Sequence, residues 1–187
     1  MRQLVLMMGV SLDGLVARRG LRRSLGIAAR GPCAQGAQAR VVGRRRPAPH
    51  GAHHLPGDGR VLAHVRRCLR STHERHPKVV FSRTLDRAEW ADSRIARGDL
   101  ADEIAQLKGE SGKDMIAWGG ATFTQSLTRL GLVDEYRLIL HPIALGDGLP
   151  LFKDLTAPLR LELVDAQTYG TGAALLIYRR TPAAASN

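Results

Sequence analysis

Gln3-Leu4-Val5-Leu6-Met7-Met8-Gly9-Val10 is an almost unbroken apolar run of strand length, and Ser11-Leu12-Asp13-Gly14 closes it with turn residues. A strand without polar alternation is one buried on both faces, as in the sheets of α/β proteins. Lys78-Val79-Val80-Phe81-Ser82, Asp114-Met115-Ile116-Ala117-Trp118 and the stretch from Glu135 to Pro142 read as further strands. Between them, residues 99–108 predict a helix. Asp99 is its N-cap, Asp102 and Glu103 place acids in the first turn, and Leu100, Ile104 and Leu107 share one face. A second helix is predicted from Thr122 to Leu130, with Phe123, Leu127 and Leu130 inward and Gly131 as its stop. Leu161–Val164 and Ala174–Tyr178 predict a terminal hairpin around Gly170 and Gly172, and residues 181–187 a frayed tail.

The whole is 187 residues with 44% apolar content, which suits one α/β domain over residues 1–180. No apolar run approaches the ~18 residues of a membrane span. The first residues show no secretory cleavage pattern, so a cytoplasmic protein is expected. Cys33 and Cys68 form no C-x-x-C pair and stand in no Cys-His-Asn context, so neither a disulfide framework nor a thiol nucleophile is indicated.

The formal charge of +11 invites a nucleic-acid reading. Its distribution argues otherwise. Residues 18–76 hold fourteen arginines against two acids, Asp58 and Glu74, so that this segment carries +12 and the remainder about −1. The same segment has no Lys, Phe, Trp or Tyr, and so none of the aromatics on which bases stack. No helix or strand period is sustained within it. Two readings follow from the residues alone. One is a basic insert too poor in large apolar side chains to offset its ordering entropy. The other starts from the flanks, which need neighbouring strands and helices that the segment does not visibly supply.

The motifs of the flanks, taken in order, resemble the C-terminal reductase domain of bacterial riboflavin biosynthesis, a relative of dihydrofolate reductase. The resemblance is carried by Val10-Ser11-Leu12-Asp13-Gly14, by Lys78–Leu85, by Trp118-Gly119-Gly120-Ala121-Thr122, by Gly131–Glu135 and by Pro142–Phe152. It covers residues 2–17 and 77–180. It implies a dihydrofolate-reductase-like mixed sheet with flanking helices, NADPH as hydride donor, a heterocyclic small-molecule substrate and a homodimer. It also implies a Gly-Arg-x-Thr-Tyr motif opening a helix in the middle of the chain. That motif is absent, and Gly43-Arg44-Arg45-Arg46 echoes it without the Thr-Tyr.

A displaced reading frame accounts for both the missing motif and the odd charge. If each codon here joins the last base of one true codon to the first two of the next, residues 50–67 permit M-G-R-T-T-Y-R-G-M-A-A-Y-W-P-T-S-D-D. His73-Glu74 likewise permits M-N shortly ahead of Pro77-Lys78-Val79. Residues 18–76 are therefore expected to be out of frame, with a native basic insert as the alternative.

The candidate site residues follow. Ser11, Leu12, Asp13 and Gly14 follow a central strand, where open α/β sheets place ligands. The resemblance puts their backbone along the nicotinamide and ribose side of the cofactor; the bland reading is a strand-ending turn. Gly119, Gly120, Ala121 and Thr122 join a strand to a helix N-terminus, where bare backbone amides and the helix dipole suit a pyrophosphate. A tight turn is the alternative. The pattern is not G-x-G-x-x-G, so a Rossmann dehydrogenase is not indicated. Glu135 is a candidate substrate contact or a solvated strand-edge acid. Gly146, Asp147 and Gly148 form a rim loop or a plain turn. His141 reads as a core histidine, and His50, His53, His54 and His64 lack metal spacing.

The first functional expectation is an NADPH-dependent reductase similar to the 5-amino-6-(5-phosphoribosylamino)uracil reductase of riboflavin synthesis. No H-x-E…C-x-x-C deaminase signature accompanies it. The alternatives are a dihydrofolate-reductase-like enzyme for another pteridine or heterocycle, a basic nucleic-acid-binding derivative, and an inactive frameshifted product.

Overall fold

The computed structural model describes residues 1–17, 77–82, 85, 86, 88, 92–118 and 120–181, together with the backbone of 39–43. In chain order these residues form β1 (Leu4–Val10), β2 (Leu15–Ala17), β3 (Ala39–Gly43), β4 (Lys78–Phe81), β5 (Ser93–Ala96) and α1 (Leu100–Gly109). Then come β6 (Met115–Trp118), α2 (Ala121–Arg129), β7 (Glu135–Leu140), β8 (Leu149–Pro150), β9 (Leu161–Thr168) and β10 (Ala174–Arg180). Eight strands make one mixed sheet in the order β5-β4-β3-β6-β1-β7-β10-β9, and β2 pairs with β8 apart from it.

The six strands from β5 to β7 run parallel, while β10 is antiparallel to β7 and β9 antiparallel to β10. β1 lies at the centre, and its composition explains why. Leu4, Leu6, Met8 and Val10 pack into the main core with Met115, Ala117, Tyr136 and Leu138, under Ile104 and Leu107 of α1 and Leu127 of α2. Val5, of opposite parity, is buried as well, so neither face tolerates a polar residue.

The helices start and stop where their chemistry dictates. Asp99 caps α1 by accepting the Ala101 amide at 2.8 Å, and Asp102 and Glu103 face the positive end of the helix dipole. Gly131 ends α2 in the left-handed region at φ 65°, with Leu132 N–H returning to the Leu127 carbonyl. A Cβ at Gly131 would stand 2.9 Å from the Arg180 guanidinium, which donates to the Gly131 carbonyl.

The structure adds four strands to the sequence expectation and moves the ends of others. β3 falls inside the basic segment, where the β-branched pair Val41-Val42 ends at Gly43; its backbone sits between β4 and β6. β2, β5 and β8 are only two to four residues long, too short for a period to emerge. β7 ends at Leu140, because Ile143 N–H turns back to the His141 carbonyl and Pro142 between them has no amide to donate. The C-terminal hairpin is as expected, with β9 four residues longer than its apolar run.

Candidate functional site

Since β6, β1 and β7 are adjacent and parallel, their carboxyl ends converge on one edge of the sheet. That geometry brings Ser11–Gly14, Gly120–Thr122 and the 141–148 loop to the same side of the molecule. Gly119 lies outside the described residues.

The turn after β1 is tightly specified. Gly14 N–H donates to the Ser11 carbonyl, Ser11 N–H to Leu15, and the Ser11 hydroxyl accepts the Leu15 amide at 3.0 Å. Gly14 sits at φ 75°, which accounts for glycine at the end of the turn. Ser11 is buried, and Leu12, Asp13 and Gly14 are exposed.

The rim loop offers backbone groups to that turn, which answers with its own backbone and with the Asp13 carboxylate. Leu12 N–H donates to the Ile143 carbonyl at 2.8 Å, and Leu151 N–H to Gly14 at 3.0 Å. The Asp13 carboxylate accepts the amides of Leu145 at 3.0 Å and Gly146 at 2.7 Å, as well as the Ser11 hydroxyl. The Ser11 hydroxyl first, and the Gly146 amide next, hold the Asp13 carboxyl below its ordinary range. Gly146 adopts φ 73°, and Gly148 leads into β8, which pairs with β2. From the other side, the Gln125 amide donates to the Pro150 carbonyl at 2.6 Å and fixes the strap to α2. Leu151 is buried beneath it.

α2 opens differently from α1. Its N-cap is Gly120, which offers no side-chain acceptor, and its first turn contains no acid. Thr122 is exposed there. A helix start without its own anion leaves the positive end of the dipole for an outside one.

Glu135 is not part of this assembly. It begins β7 opposite Val5, five strand residues and thus about 16 Å from the carboxyl end. Its buried carboxylate is bound by Arg137 Nε at 2.7 Å and by Arg179 Nε at 3.3 Å. Its position follows from the strand direction, which one sequence does not reveal. His141 does lie at the site edge, its backbone amide bonded to the Val10 carbonyl. Its Nε2 is buried without a hydrogen-bond partner among the described residues, and burial holds the imidazole below its ordinary pKa. Sequence reasoning missed Gln125 and the attachment of the loop to Asp13; neither has a local signature. Among the described residues no three His, Cys, Asp or Glu side chains gather as for a metal. Cys33, Cys68 and the histidines at 50, 53, 54 and 64 lie outside those residues.

Residues 2–175 match the RibD C-terminal domain. The chain belongs to that family. YyaP of Bacillus subtilis is 37% identical over 101 residues, 54% of this chain and 53% of YyaP. YwjB of the same organism is 33% identical over 66 residues, 35% of this chain and 38% of YwjB. Both are uncharacterized, and the chain spans about half or less of their length.

Among solved structures, a protein assigned to riboflavin biosynthesis in Shewanella sp. PV-4 superposes with a TM-score of 0.68 at 21% identity, covering 96% of this chain and 99% of that one. The Thermotoga maritima diaminohydroxyphosphoribosylaminopyrimidine deaminase/5-amino-6-(5-phosphoribosylamino)uracil reductase gives 0.61 at 16% identity, over 96% of this chain and 57% of that one. Enterococcus faecalis dihydrofolate reductase complexed with NADP(H) gives 0.55 at 13% identity, over 95% and 96%. The fold is thus the dihydrofolate-reductase-like mixed sheet. No helix among the described residues is long and apolar enough to cross a membrane.

Proposed function

We propose that this RibD C-terminal domain is a cytoplasmic NADPH-dependent reductase of a heterocyclic substrate. The observation that carries the reading is the convergence of Ser11–Gly14, the acid-free start of α2 and the 141–148 loop at the carboxyl ends of three adjacent parallel strands. Gly120, Ala121 and Thr122 would hold the cofactor pyrophosphate with their backbone, and the Ser11–Gly14 turn would lie along the nicotinamide and ribose. When bound, NADPH supplies a hydride from C4 of its nicotinamide to an electrophilic ring or imine carbon. The chain's own part is to orient the two rings and exclude water, with a proton reaching the reduced nitrogen from solvent.

The substrate class is a pyrimidine such as 5-amino-6-(5-phosphoribosylamino)uracil or, as the second reading, a pteridine-like heterocycle. Titration of NADPH fluorescence with the protein tests the cofactor, and oxidation of NADPH on adding each heterocycle tests the substrate. Failure to bind NADPH in a folded, frame-verified protein overturns the proposal. We also propose that the enzyme is a homodimer; the exposed outer strand β9, with Leu163 and Val164 in water, supports this, and sedimentation equilibrium tests it. The displaced frame of residues 18–76 stays part of the proposal, because the Gly-Arg-x-Thr-Tyr motif it restores would complete the phosphate site.

A further inference from the structure

Asp13 stands among the candidate ligand contacts, yet its carboxylate is already occupied. One oxygen, Oδ2, accepts the amides of both Leu145 and Gly146, and Oδ1 accepts the Ser11 hydroxyl. These partners come from two segments more than 130 positions apart in the chain. Two consecutive amides can aim at one carboxylate because Gly146 takes a left-handed φ, and the Asp13 side chain reaches them because Gly14 turns the chain beneath it. Bonds from backbone amides to a carboxylate are charge-assisted and stronger than neutral ones. The same junction carries the Leu12–Ile143 backbone bond, and both of those side chains are exposed at the rim.

We propose that Asp13 is a positioning residue: its carboxylate holds the Leu145–Gly146 turn against the Ser11–Gly14 turn, and thereby fixes the rim on which a ring of the cofactor or its acceptor lies. The assignment of that ring rests on the reductase reading; the fastening of the loop does not. Without the carboxylate the Leu145 and Gly146 amides lose their acceptor, while the ties on either side of them, at His141, Ile143, Pro150 and Leu151, remain.

Asp13→Asn and Asp13→Ala, in the full chain, separate the two parts. Amide hydrogen exchange by NMR in the ligand-free protein reads the fastening. Exchange at Leu145 and Gly146 is expected to rise about tenfold or more in either variant, while Met115, bonded to Gln3 at the far end of the sheet, stays within about twofold. Unchanged exchange at both loop amides, or an equal rise at Met115, overturns the proposal. Should neither variant fold, the wild-type chain decides: protected Leu145 and Gly146 amides support it, and unprotected ones overturn it.

NADPH titration then reads the consequence. The dissociation constant of Asp13→Asn is expected to rise about tenfold, with kcat at saturation within about threefold of wild type. A dissociation constant equal to that of wild type, or a loss confined to kcat, overturns the positioning role. A wild-type protein that binds no NADPH overturns the reductase reading, and the exchange data alone then judge the fastening.

Discussion

At the amino ends of β1, β6 and β7 the chain is fastened by opposite charges; at their carboxyl ends it is fastened by backbone donors. The amino end holds Lys108 on Asp134 at 2.6 Å, Arg2 on Glu110 at 3.3 Å, and Glu135 between Arg137 and Arg179. The carboxyl end has glycine turns, an acid-free helix start and one carboxylate gripped by two amides. Side chains spent on each other stabilise a fold and leave little for a ligand. Exposed backbone and glycine do the reverse, and the proposed cofactor site rests on that contrast.

The largest test of this contrast concerns the basic segment. β3 runs parallel with its neighbours, so Gly43 stands at the carboxyl end of the sheet, the end to which the proposed cofactor site belongs. Restoring the frame across residues 18–76 is expected to strengthen NADPH binding at least about tenfold, or roughly 1.4 kcal/mol. Fluorescence titration of both proteins checks it. Equal affinities would make the segment a native insert, and sequencing the coding DNA through it gives the independent answer.

The next test is at the amino end. Asp134 accepts both the buried Leu4 amide at 2.7 Å and the Lys108 ammonium, so Asp134→Ala leaves a buried donor and a partly buried charge unpaired. The expected loss is about 3 kcal/mol in urea unfolding. NADPH affinity, read on the folded variant, should stay within about twofold. A large affinity loss without a stability loss would put function at the wrong end of the sheet.

The sequence made much of this fold legible and less of the site. Strong apolar runs and capped helices gave β1, β4, β6, β7, α1 and α2, because burial and capping leave local marks. β2, β5 and β8 escaped, since strands of two to four residues are chosen by the partner they pair with. The turn at Ser11–Gly14 and the start of α2 carried their glycines openly. The ion pairs of Glu135 were not legible for a different reason: its neighbour Arg179 lies 44 positions away and becomes a partner only through the β7–β10 pairing.

A smaller effect separates helix stability from ligand binding at one residue. Thr122 is exposed in the first turn of α2, so Thr122→Asp puts an anion at the positive end of the dipole. The helix should gain about 0.3–1 kcal/mol. The same charge repels a pyrophosphate, so NADPH should bind several-fold more weakly even as the protein becomes more stable. Thermal unfolding and NADPH titration of one variant read both signs. A gain in both would remove the start of α2 from the cofactor site.

The smallest expected effect is the pH dependence set by His141. Burial lowers its pKa in the folded chain below the ordinary 6.5, so the unfolded state takes up the proton more readily. Its contribution is therefore fully present above about pH 6.5 and is lost as pH falls through the folded value. His141→Asn removes this titration, so its stability should fall less steeply than that of wild type between pH 7 and pH 5 in urea titrations. Asp13 has the same sign in a lower window, because its depressed carboxyl pKa brings loss only as pH drops below the ordinary 3.8. The two groups thus titrate apart at one end of the sheet. A wild-type slope that persists in His141→Asn would remove His141 as the cause of the loss between pH 7 and pH 5.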